Sequence, residues 1–177
     1  TSFEDNEVKL ANLNDALTKR LGSLKELFGV LQQVAGDTKS KFQNSIISAQ
    51  IPGRAEFLDN MAQSMGASSK LPSIEEIERV WFEMQREMTE SGKVTTFTTN
   101  VIEAGGNKVA KEVLRVGPFA LTAEGKYLDY NGTTGSVAEL LRQPAGRYGD
   151  SAATLQQSKG ELVEFGLDPT GGSILKL

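Results

Sequence analysis

Ser91-Gly92-Lys93-Val94-Thr95-Thr96-Phe97-Thr98-Thr99-Asn100-Val101-Ile102 is the stretch at which the chain changes its grammar. Before Gly92 apolar residues recur at steps of three and four, the period of a helix; after it β-branched residues crowd together as a strand requires. Gly105-Gly106-Asn107 separates this run from the alternating residues 109–116, so a hairpin is expected. Further short strands are expected at 119–122 and 127–130, divided by Glu124-Gly125-Lys126, and at 136–141 after the turn at 132–135. The spacing reads as an antiparallel meander.

Upstream, Leu71-Pro72-Ser73 precedes Glu76 in a Ser-x-x-Glu capping box, and Ile74, Ile77, Trp81, Met84 and Met88 mark one face of a helix that runs to Gly92. That face is expected to pack on the sheet, with Trp81 in the core. The opposite face carries Glu75, Glu78, Arg79, Glu83, Arg86, Glu87 and Glu90 and reads as solvated scaffolding, with Glu75 and Arg79 a favourable four-residue pair. Met61, Met65, Met84 and Met88 read as core filler at helical spacing, or as an adaptable groove.

Residues 1–50 contain no proline, and Leu10, Leu17, Leu24 and Leu31 recur every seven residues, with Leu13, Leu27 and Val34 in the second heptad position. This is a coiled-coil seam, in a helix whose forty-odd residues would reach roughly 65 Å at about 1.5 Å each. Arg20 interrupts it, Leu21 and Phe28 widen it, and beyond Val34 the phase slips through Thr38, Phe42 and Ile46. Ile51-Pro52-Gly53 forces a reversal. Phe57, Leu58, Met61 and Met65 then define a short helix ended by Gly66.

Toward the other end, Arg142-Gln143-Pro144-Ala145-Gly146-Arg147-Tyr148 is the segment least explained by packing. Two arginines and a tyrosine in an irregular stretch suit partner or carboxylate recognition, and equally a buried tyrosine beside surface arginines. One or two helical turns follow at 151–157. The chain closes through 161–167, a turn at 168–172, and 174–177, which suits a last strand or a connection onward.

The 177 residues carry a net charge of −4, with no histidine and no cysteine. The acidic balance argues against a nucleic-acid surface. The absence of histidine removes Ser-His-Asp triads and imidazole metal sites, and the absence of cysteine removes thiolate nucleophiles, disulfides and zinc thiolates. Carboxylate and lysine chemistry remain formally open. No phosphate-binding glycine loop occurs, and no apolar run is long enough for a membrane span or signal peptide. No metal or other cofactor is expected.

Leu27-Phe28-Gly29-Val30, Val34-Ala35-Gly36-Asp37 and residues 48–54, together with residues 71–78, 81–92 and 142–148, resemble the soluble N-terminal region of large MotA/TolQ/ExbB proton channel family proteins. The resemblance spans nearly all of the chain. It implies a periplasmic extension of an ExbB-like accessory subunit in the inner membrane of a Gram-negative bacterium. Such a subunit assists a TonB system in iron transport, and membrane anchoring and proton handling would lie in a region this chain lacks. The implied partners are TonB-, ExbB- and ExbD-type proteins, with a possible homo-oligomer. The resemblance offers no catalytic residue to carry over.

The expected class is α+β: a long N-terminal amphipathic, coiled-coil helix and two shorter helices, followed by a small antiparallel β-meander. Residues 1–92 would form the arm or hairpin and 93–177 the β-rich domain packed on the helix over 73–91. The expected function is a non-enzymatic interaction domain. Arg142, Gln143, Arg147 and Tyr148 are its partner-contact candidates, and the leucine seam supports packing or self-association. The rival readings are an oligomerisation spacer without its own ligand and, from another class, a carbohydrate-binding or carboxylate-dependent hydrolase domain.

Overall fold

In the computed structural model, residues 2–68 and 72–168 are described. Most of the proline-free start is one helix: α1 spans Ser2–Asn44. A short α2, Ile47–Gln50, and the break at Ile51-Pro52-Gly53 lead into α3, Arg54–Ser68. Gly53 takes a φ of 82° there, a left-handed conformation that glycine adopts without steric cost.

The coiled-coil arm is corrected by the way these helices pair. The 15 residues of α3 reach about 23 Å, whereas the 43 of α1 reach about 65 Å, so α3 covers only the last part of α1. The seam that packs is Phe28, Leu31, Ala35 and Phe42, against Leu58, Met61, Ala62 and Met65. Thr38 is buried on the same face. Leu31 therefore joins the core, but Leu10 and Leu13 are both 67% exposed, and Leu27 and Val34 also face solvent. The side chains of Leu17 and Leu24 lie outside the described residues.

The capping box forms as expected. The Ser73 hydroxyl accepts from the Glu76 backbone N–H, and the Glu76 carboxylate accepts from that of Ser73, opening α4 at Ile74–Ser91. The expected strands follow as β1 (Val94–Ile102), β2 (Lys108–Val116), β3 (Ala120–Ala123), β4 (Lys126–Asn131) and β5 (Ser136–Glu139). They do not stay open as a meander. The sheet closes into a barrel in the order β1-β2-β3-β4-β5.

Closure has a direction built in. Successive strands of an up-and-down sheet alternate, so the first and fifth run the same way and can only meet in parallel. They do so over Val101 with Val137 and Ile102 with Ala138. Phe97, Val101, Val113, Leu121, Leu128 and Val137 fill the interior, while Ile46 and Ala49 beside and within α2 pack against this core.

The helical turns expected at 151–157 are present, as the second part of a longer helix. Residues 146–157 form α5, Gly146–Gln157, which starts inside the stretch expected to be irregular. Ala152 and Tyr148 pack over Ala120, Tyr127 and Leu140 on the barrel's outer surface, joined by Phe165. β3 is consequently buried on both faces. The strand considered over 174–177 lies outside the described residues.

Candidate protein-docking site

α4 is turned the opposite way from its expected orientation. Its apolar stripe faces solvent: Ile74 is 72% exposed, Trp81 64% and Met88 67%, with Ile77, Met84 and the neighbouring Phe82 exposed as well. Trp81 is thus not a core residue, and of the four methionines only Met61 and Met65 are buried. The charged face is the one that touches the protein. Glu83 is buried, and Glu87 and Glu90 are half-buried.

What holds that face inward is a pair of buried guanidinium groups. Arg54, in the first turn of α3, pairs with Glu87, donates 2.7 Å to the Ser48 hydroxyl and lies 4.5 Å from the Phe42 ring centre. Ser45 also donates to Glu87. Arg115 of β2 is fully buried; it donates to Gln50 of α2, to the backbone oxygens of Glu90 and Gly117, and to the Glu90 carboxylate at 2.7 Å. Arg79 adds a cation–π contact, 4.1 Å from the Phe57 ring centre of α3. Charge, not apolar burial, seats most of α4, with Val80 its one buried apolar side chain.

Two other features gather charged side chains. A cleft of about 550 Å³ opens between the end of α1, the start of α3 and the β4–β5 turn, with Arg54, Tyr130 and Thr99 on its walls and Lys39 ion-paired with Asp59. On the barrel, Lys111 bridges Glu103, Glu124 and Glu139, and Lys126 also reaches Glu139. That cluster ties the β1–β2 and β3–β4 turns to β5. Its carboxylates are occupied by ammonium groups rather than set as a free pair.

The segment expected to meet a partner is divided by the structure. Gln143 is structural, exchanging hydrogen bonds with the Tyr127 backbone N–H and C=O and donating to the Leu140 oxygen. Tyr148 is half-buried in the α5 contact, and its hydroxyl accepts from Arg147, whose guanidinium lies over the ring. Arg142 and Arg147 are exposed. None of these four side chains lines the cleft beside Arg54.

The acidic groups that seat the elements carry a pH signature. Glu90 lies below the ordinary carboxylate range, first because Lys93 hydrogen-bonds to it, with Arg115 helping and burial opposing. Burial alone would raise Glu139, yet Lys126 and Lys111 outweigh it and leave this carboxyl lowered too. A carboxyl whose pKa is depressed in the folded state stabilises the fold fully above its unfolded value, here 4.5, and progressively less as pH falls through the folded value. With no histidine in the chain, the melting temperature is expected to stay level between about pH 8 and about pH 6 and to drop only in acid. A drop already under way near neutrality would contradict this assignment.

The sequence missed both faces of α4 for one reason. Amphipathicity identifies a face that needs cover but not what covers it. A usable signal was present in Val113-Leu114-Arg115-Val116, an arginine set within an apolar strand, and in Arg54 directly after the Pro52-Gly53 break. Each called for a buried acidic partner, and the unmatched acids lay on α4.

Among the described residues no helix is long and apolar enough to cross a membrane. No family model, curated protein or solved structure matches the chain.

Proposed function

We propose that this chain is a non-catalytic interaction domain that works by being built into a larger protein assembly. The observation that carries the reading is the outward apolar stripe of α4. Ile74, Ile77, Trp81, Met84 and Met88 form one continuous face, and buried ion pairs hold that face out rather than letting it turn to the core. A soluble surface rarely leaves such a patch bare unless another protein covers it. Aromatic and methionine side chains are also those enriched at interface centres.

Taken with the resembling segments, the assembly is an ExbB-like one: a periplasmic domain at the inner membrane that helps couple proton-motive force to TonB-dependent uptake of iron complexes. The exposed Arg142 and Arg147 then serve as rim contacts to TonB-, ExbB- or ExbD-type partners. The spacer reading gains support from the same stripe, because its spacing suits self-association.

The test uses Trp81→Lys combined with Met88→Lys. Both residues are exposed, so the melting temperature should hold within a few degrees. Co-isolation with the TonB-, ExbB- and ExbD-type proteins, and uptake of iron complexes, should fall at least about tenfold, as expected when a central interface residue is replaced by a charge. Unchanged co-isolation and uptake would reject the reading.

A further inference from the structure

Four of the five stripe residues, Ile77, Trp81, Met84 and Met88, have a symmetry that a general docking face does not need. Ile74, Ile77, Trp81, Met84 and Met88 are spaced by three, four, three and four residues, the a/d rhythm of a helix-pair seam. Reading the stripe backwards about a point between residues 82 and 83 places Trp81 opposite Met84 and Ile77 opposite Met88. A large flat ring then meets a flexible thioether in each central layer.

The flanks agree with that reversal. Glu78 and Gln85 are both exposed beside the stripe, and in an antiparallel pair each lies against the other type, so no carboxylate faces a carboxylate. The two helix dipoles oppose, which is favourable. A parallel pair would instead stack Trp81 on itself and align the dipoles.

The area is also sufficient. Ile74, Ile77, Trp81, Phe82, Met84 and Met88 are between 37% and 72% exposed. Together they leave on the order of 600 Å² uncovered, taking large side chains at about 150–250 Å² each. With its polar rim this approaches the ~800 Å² per partner of a standard interface.

We infer that the occupant of this face is a second copy of the chain, the two α4 helices crossing antiparallel about a twofold axis between Trp81 and Met84. The inference rests on the reading of the α4 stripe as an interface and names what covers it. The domain thereby joins subunits two by two, and its pairing surface is separate from the exposed arginines of the 142–148 segment.

Sedimentation equilibrium of the 177-residue chain tests the pairing, and Trp81, the single tryptophan, reports it through its emission. A dimer whose tryptophan emission shifts to the blue as concentration rises is expected. Trp81→Lys and Met84→Glu, each alone, should raise the dimer dissociation constant roughly 100-fold. Mixing the two variants should restore a heterodimer, because one central layer then holds the introduced lysine against the introduced glutamate while the other stays native.

A chain that remains monomeric, or variants that fail to complement while keeping wild-type melting temperatures, would overturn the inference. Complementation between Trp81→Lys and Trp81→Glu instead would show parallel pairing and overturn it too. If the chain is monomeric but Trp81→Lys with Met88→Lys still abolishes co-isolation with the membrane complex, another protein covers α4; the inference then falls while the interface reading stands. If neither property changes, both fall.

Discussion

Arg115→Met is expected to destabilise the protein by about 3–5 kcal/mol, enough to consume much of the stability of a domain this size. The side chain is fully buried and shares its donors among four acceptors on α2, α4 and the turn after β2: Gln50, the Glu90 carboxylate, and the backbone oxygens of Glu90 and Gly117. Methionine matches it roughly in length but supplies no donor, so those acceptors lose their partner without regaining full hydration. Glu90 keeps Lys93, which limits the electrostatic part of the loss.

Arg115→Lys is expected to recover little of this, because one ammonium cannot reproduce a planar fork that reaches all four acceptors. Equilibrium urea unfolding followed by circular dichroism provides the measurement. Glu90→Gln should cost less than Arg115→Met, and the double variant should cost clearly less than the sum of the two, since both remove one network. A change below about 1 kcal/mol for Arg115→Met would mean that the network does not fasten α4 to the barrel.

The parts of the fold written in local chemistry were readable in the chain. The Ser73–Glu76 capping box, the reversal at Pro52-Gly53 and the glycine-punctuated strands are each set by a few neighbouring residues, and each occurs where those residues place it. Barrel closure depends on the coiling of the whole sheet and on two residue pairs thirty-six positions apart, which no local pattern encodes. The extent of the α1 seam was misjudged because a heptad repeat states which face wants a partner, while the partner's length is fixed by where α3 stops.

The same distinction explains the site. Gln143 and Tyr148 looked functional because their segment lacks apolar periodicity, yet Gln143 satisfies backbone groups of Tyr127 and Leu140, and Tyr148, itself in α5, packs against the barrel. Trp81 looked structural because it belongs to a perfect amphipathic pattern. The acids on the other side of α4 had a stronger claim to the interior: two buried guanidinium groups needed anionic partners, and leaving a buried charge unpaired costs more than exposing a tryptophan.

Gly132→Ala is expected to cost about 2–4 kcal/mol, although the residue sits in a surface turn of the barrel. A methyl group there would fall inside the carbonyl oxygen of Gln43 and 2.7 Å from its carbon, and both atoms belong to the backbone at the end of α1. No rotamer change relieves such a clash. The β4–β5 turn must lift away from α1, widening the cleft that Arg54 and Tyr130 line. Gly135→Ala, three residues on in the same turn, is the control. It has open space around its Cβ position but a φ of 66°, so its cost should be only the roughly 1–2 kcal/mol of a left-handed conformation. Thermal and urea unfolding of the two variants separates contact from conformation: a larger loss for Gly132→Ala means that the turn bears directly on α1, whereas equal losses would mean that the helices and barrel yield to one another at that contact.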